Sequence, residues 1–154
     1  MTIKIEQANP YGSLSEERLR AFEQRLGMAL PLDYRAFLSR YNGGKPKPNG
    51  FWIAKDHDAS EINHFYGLHD GPRWFSLDCY VGEEQHGIPR GLLAIGDDGT
   101  GNIICIGLEG ERRGVIFFID HEVHPYDDPN SVAGVYEIAK SFSEFLSDLQ
   151  HLSR

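Results

Sequence analysis

The densest set of side chains able to do chemistry is Asp120-His121-Glu122-Val123-His124, with Asp127 and Asp128 close behind. Imidazoles and carboxylates bind zinc and other divalent ions, so this segment is a candidate metal site. Its spacing argues otherwise. His121 and His124 are three apart and Pro125 follows directly, so no helix presents both rings on one face as an HExxH motif does. The segment reads as a solvated loop, with a metal-dependent hydrolase centred on His121 and His124 as an alternative. A second group is Gly96-Asp97-Asp98-Gly99-Thr100-Gly101-Asn102. Its glycines are spaced GxxGxG, and no Lys-Ser/Thr follows as in a P-loop. A strand comes next, so no helix N-terminus is at hand for a phosphate, and two aspartates would repel one. The residues read as a tight turn that needs positive φ at glycine.

Nucleophilic catalysis finds no support. A GxSxG elbow is absent, and Cys79 and Cys105 carry no signature that pairs either with a histidine. Cys105 lies in the apolar run Ile103-Ile104-Cys105-Ile106 and reads as a small buried hydrophobe. No catalytic residue, cofactor or metal is expected from these motifs, and a carboxylate dyad cannot be picked from 23 acids without geometry.

These groups need elements to hold them. Ser13-Leu14-Ser15-Glu16 has capping-box spacing, Leu19, Phe22 and Leu26 recur at helical spacing, and Gly27 is placed to end the helix. A second helix starts at Leu30-Pro31, with proline near the first helical position, and carries Tyr34, Phe37, Leu38 and Tyr41 as one stripe. Asn42-Gly43-Gly44 stops it, and Lys45-Pro46-Lys47-Pro48-Asn49-Gly50 predicts no regular structure beyond. Phe51–Ala54, Leu92–Ile95, Ile103–Leu108 and Val115–Asp120 read as strands, the last two as a hairpin. Ile62–Leu68 is a weaker strand, Val135–Ala139 an edge strand, and residues 74–86 fit a helix carrying Phe75, Leu77, Tyr80 and Val81. Ser141-Phe142-Ser143-Glu144 repeats the capping-box spacing before a last helix with Phe142, Phe145, Leu146, Leu149 and Leu152 as its stripe. Helices first, strands in the middle and a helix last predict an α+β single domain over residues 1–154, with its core over roughly 13–150. The expected architecture is a mostly antiparallel central sheet with helices on one face.

Charge narrows the partner. The 154 residues hold 15 Lys+Arg against 23 Asp+Glu, a net charge of −8. That balance opposes a nucleic-acid backbone and favours a basic partner. No apolar run reaches the ~18 residues of a spanning helix, so no membrane partner is expected. Met1–Glu6 lacks the basic and then apolar stretch of a signal peptide, and the two cysteines form no CxxC pair, so the expected location is the cytoplasm. Three acid clusters stand out: Asp56/Asp58/Glu61, Asp97/Asp98, and Asp120/Glu122 with Asp127/Asp128. Glu83-Glu84 is a further acidic pair. Trp52, Trp74, Phe51 and Phe65 read first as core residues, with Trp52, beside the Lys45–Gly50 loop, the aromatic best placed to meet a partner.

The order of signals resembles the SUKH superfamily, which includes Smi/Knr-type cell-wall assembly regulators of yeast and many bacterial toxin-immunity proteins. Four blocks carry the resemblance: Leu30-Pro31-Leu32-Asp33-Tyr34-Arg35-Ala36-Phe37-Leu38 with Asn42-Gly43-Gly44; Leu92–Gly96 with the Asp97–Asn102 turn; Gly114–Glu122; and Ser141–Leu146. Asn102 stands where many members carry Asp. The resemblance implies a non-enzymatic protein-binding module, above all an immunity protein that neutralises a cognate toxin of nuclease or deaminase type. A regulatory scaffold without a toxin is the alternative. The turn and the post-strand loop match the family's motif positions, so the residues expected to bind the partner are Asp97, Asp98, Asp120 and Glu122, with Trp52 beside them.

Overall fold

The computed structural model describes residues 3–54, 58–81 and 87–152. Asp56 and Glu83-Glu84 lie outside those residues, as does the end of the helix expected over 74–86. Three helices and antiparallel strands make an α+β domain. Helix α1 (Glu16–Leu26) begins at Ser15, whose hydroxyl accepts from the Arg18 amide at 3.1 Å. The cap is therefore two residues later than the Ser13 spacing suggests. Gly27 ends the helix at φ 82°, a left-handed conformation that a side chain would oppose. Helix α2 (Leu32–Tyr41) starts one residue beyond the sequence reading, with Pro31 as its N-cap. Arg35 of α2 joins it to α1 by donating to Glu16 at 2.6 Å and to Glu23 at 2.9 Å.

The main sheet is a five-stranded antiparallel meander. Its strands are β5 (His64–Phe65), β6 (Leu92–Asp97), β7 (Ile103–Gly107), β8 (Ile116–Ile119) and β9 (Val135–Ala139), in that order. The strands β6 to β8 are buried almost end to end, so they read as continuous apolar runs and not as alternating ones. Helix α3 (Phe142–Asp148) is capped by Ser141, whose hydroxyl accepts from the Glu144 amide at 3.0 Å. The core beneath α2 and α3 is an aromatic hub. The Phe37 ring lies 5.0 Å from both Phe65 and Phe142, and Phe145 lies 5.5 Å from Phe51. Tyr34, Phe37, Leu38, Phe142, Phe145 and Leu149 are buried as their spacing predicts, and Leu146 is half-buried.

Several local expectations fail for identifiable reasons. Lys45–Lys47 is not irregular: it forms β2, paired antiparallel with β1 (Lys4–Glu6), because an edge ladder tolerates a proline. The strand β3 (Gly50–Ala54) pairs with β4 (Asp58–Glu61), a strand whose polar sequence has no strand propensity of its own. Ile62–Leu68 contributes only the two residues of β5. Within 74–81 the chain makes two short 3₁₀ turns, Arg73–Phe75 and Leu77–Tyr80, in place of a helix. Trp74 is 58% exposed and so is no core residue, whereas Phe51 and Phe65 are buried. The segment after α3 turns extended and exchanges backbone hydrogen bonds between Gln150 and Gly50, both at 2.9 Å. A Cβ on Gly50 would lie 2.6 Å from the Gln150 carbonyl oxygen, so only glycine fits that crossing.

Candidate functional site

Three segments far apart in sequence meet around an open cleft of about 620 Å³. The β3–β4 pair contributes Ile53, Asp58, Ser60 and Glu61, and the β6–β7 turn contributes Asp98, Thr100 and Asn102. The end of β8 and the loop after it contribute Phe118, Asp120, His121 and Glu122. Five carboxylates therefore line one depression over an apolar floor. Among its described lining residues there is no lysine or arginine.

Asp98 builds the turn. Its Oδ1 accepts from the amides of Thr100 at 2.9 Å and Asn102 at 3.1 Å and from the Thr100 hydroxyl at 2.9 Å. Its Oδ2 accepts from Asn102 Nδ2 at 2.7 Å and from the Ser60 hydroxyl at 3.1 Å, which ties the turn to β4. Partial burial pushes the carboxyl up, but the hydrogen bonds from Asn102, Thr100 and Ser60 outweigh it and hold the group below its ordinary value. Asn102 then passes the connection on, because its Oδ1 accepts from the His121 amide at 3.0 Å and from His121 Nδ1 at 2.7 Å. The His121 backbone N–H fixes the orientation of the Asn102 side-chain amide. An aspartate at this position would have no side-chain N–H to give Asp98 Oδ2.

Asp120 accepts the Glu122 amide at 2.9 Å, so the loop after β8 turns back at once and leaves Glu122 exposed on the cleft wall. His124 is turned elsewhere. It is buried, with Nδ1 3.0 Å from the Ala133 carbonyl oxygen and Nε2 3.1 Å from that of Gly87. Both nitrogens are occupied within the fold, so His121 and His124 form no shared ligand set. Among the described residues no three His, Cys, Asp or Glu side chains are grouped to hold a metal ion.

The remaining sequence-predicted residues divide. Asp97 adjoins the turn but does not line the cleft. Its Oδ2 accepts from the Tyr66 hydroxyl at 2.8 Å and its Oδ1 from the Gly99 amide at 2.9 Å. Burial pushes the Tyr66 phenol well up, which keeps it a donor. Trp52 lies in an adjacent groove of about 460 Å³ with Glu137, Ile138, Asp148 and Gln150, and Ile53 borders both depressions. Sequence reading did not pick out Ser60, and it placed Thr100 and Asn102 in the turn without the fastening role they have in the cleft. The i, i+4 spacing of Asp98 and Asn102 across a turn was the one local signal.

The sequence matches a known family. The profile of the SMI1 / KNR4 family (SUKH-1) matches residues 13–148, and the chain belongs to that family. At the level of the family this is a module of the toxin-immunity type. The chain is also 30% identical, over 161 aligned positions, to the SPbeta prophage-derived uncharacterized protein YokK of Bacillus subtilis (strain 168), covering 92% of this chain and 78% of that protein. Among the described residues no helix is long and apolar enough to cross a membrane.

Proposed function

We propose that the chain is a non-enzymatic immunity protein that neutralises a basic toxin domain by covering it. The observation that carries this reading is the cleft with five carboxylates and no described cation, in a member of this family. Toxins of nuclease or deaminase type hold nucleic acid through Lys and Arg around the active site, and those cations complement the cleft. Asp120 and Glu122 meet the partner directly, Asp98 shapes the wall they share, and Asp97 positions the turn from behind. Trp52 supplies an aromatic contact beside the charged area, where interface hot spots concentrate. The chain then works by steering and occlusion, without chemistry of its own.

The test takes a nuclease- or deaminase-type domain from a reading frame next to this chain's own, should one be encoded there, purified and assayed with and without the chain. Loss of toxin activity at an equimolar ratio supports the reading. Unchanged activity at a tenfold excess of the chain contradicts it and leaves the scaffold alternative.

A further inference from the structure

The family match begins at residue 13, yet residues 3–12 are laid across the body of the domain. Strand β1 pairs with β2 in the register Lys4↔Lys47, Ile5↔Pro46 and Glu6↔Lys45. The Asn9 amide donates to the Tyr41 carbonyl oxygen at 2.6 Å. The Tyr11 ring then lies 4.5 Å from the His69 ring and stacks 6.4 Å from Phe75. It rests over Gly71, where a Cβ would come 2.7 Å from Tyr11 Cδ1. Beneath the segment is a cavity of about 230 Å³, walled by Gln7, Pro10 and Tyr11 above and by His64, His69 and Phe75 below. This cavity shares no residue with the acidic cleft.

The same ten residues concentrate unfavourable features. Lys4 stands opposite Lys47, a like-charge cross-strand pair that Glu6, opposite Lys45 and 4.0 Å from Lys47 Nζ, offsets only in part. Gln7 and Asn9 have φ of 53° and 51°, left-handed values that cost a residue with a side chain. The buried Asn9 Oδ1 finds no donor among the described residues. Pro46, in the middle of β2, brings no N–H to the ladder. Tyr11 remains 42% exposed, so its ring is held on one side only. We infer that residues 3–11 are a releasable strap, latched by Tyr11 and hinged at Gly12, whose carbonyl Asn42 Nδ2 holds at 3.0 Å, that opens over the cavity while the rest of the domain stays folded. Opening frees the edge of β2 and uncovers the His64, His69 and Phe75 surface together.

Native-state hydrogen exchange on the full chain tests this. The amides of Lys4–Glu6 and Asn9 are expected to exchange at least ~10-fold faster than those of Ile104–Ile106 in the central strand β7. Tyr11→Ala should speed the strap amides further and leave β7 unchanged. Lys4→Glu, which turns the repulsive pair into an attractive one, should slow them roughly 2- to 5-fold. Added p-cresol, a detached tyrosine ring, should compete with Tyr11 and raise the strap rates in proportion to its occupancy. The inference is overturned if strap and β7 amides exchange together, or if both variants leave the strap rates at wild type. Saturable p-cresol shifts at His69 and Phe75 without strap acceleration would overturn the latch.

Discussion

Two side chains carry more of the structure than their positions in the sequence suggest. Asn42 looks like a helix stop, and it does end α2 at φ 41°. It is also 99% buried and bridges three segments: Nδ2 donates to the Gly12 and Leu68 carbonyls at 3.0 and 2.9 Å, and Oδ1 accepts the Leu68 amide at 2.8 Å. Asn42→Ala strands those groups out of water and should lower stability by about 2–4 kcal/mol, read as a fall in the urea midpoint. Asp98 plays the corresponding part in the cleft. Its folded carboxyl sits below the ordinary 3.8, so the unfolded chain takes up the proton first as pH falls. Its stabilisation is therefore complete at neutral pH and is lost as pH drops through 3.8 and on to the lower folded value. Asp98→Asn should cost about 1–3 kcal/mol at pH 7, and the gap to wild type in urea midpoint should narrow by pH 3. An unchanged gap at both pH values would mean that the turn does not depend on the charged carboxylate. The Asn42 bridge cannot be read locally, since its partners at residues 12 and 68 come from other segments, and of Asp98's partners only Ser60 lies outside the turn.

At the scale of elements, the legible parts were those whose signal is local. The stripe on α2, the Ser141 cap and the apolar runs of β6 to β8 state their own conformation. The strands β1, β2 and β4 do not, because Lys-Pro-Lys and Asp-Ala-Ser-Glu become strands only by pairing with β1 and β3. The same holds for the cleft: its acids were visible as clusters, but β4 brings Asp58 and Glu61 to the turn through a pairing that the sequence does not announce. Trp74 was misplaced because an aromatic in a turn carries no sign of which way the turn faces. Two substitutions probe this level. Phe37→Ala empties the centre of the aromatic hub and should cost about 3–5 kcal/mol in chemical denaturation. Gly50→Ala should cost about 1–3 kcal/mol, because the new methyl must push the Gln150 backbone off β3. Faster hydrogen exchange at Gly50 and Gln150 than at β7 would report that displacement.

For the whole molecule, a domain of net charge −8 gathers carboxylates from three elements into one cleft, and the central proposal is that they capture a basic partner. Steering of this kind acts over roughly a Debye length, about 8 Å at physiological salt and longer below it, so it is strongest in dilute buffer. It acts mainly on the association rate. Location of the charge matters as well as its amount, and a control can separate the two. Glu17 on α1 and Glu111 beyond β7 are exposed and do not line the cleft. The decisive measurement is the stopped-flow association rate of the chain with a purified toxin domain that it neutralises, across a salt series. Three proteins are compared: wild type, Asp120→Asn/Glu122→Gln, and Glu17→Gln/Glu111→Gln, the two variants having the same net charge. The account predicts slower association and a flatter salt dependence for the cleft variant, with the control variant close to wild type. Equal rates and equal salt slopes for the two variants would contradict it, since binding would then depend on total charge and not on the cleft.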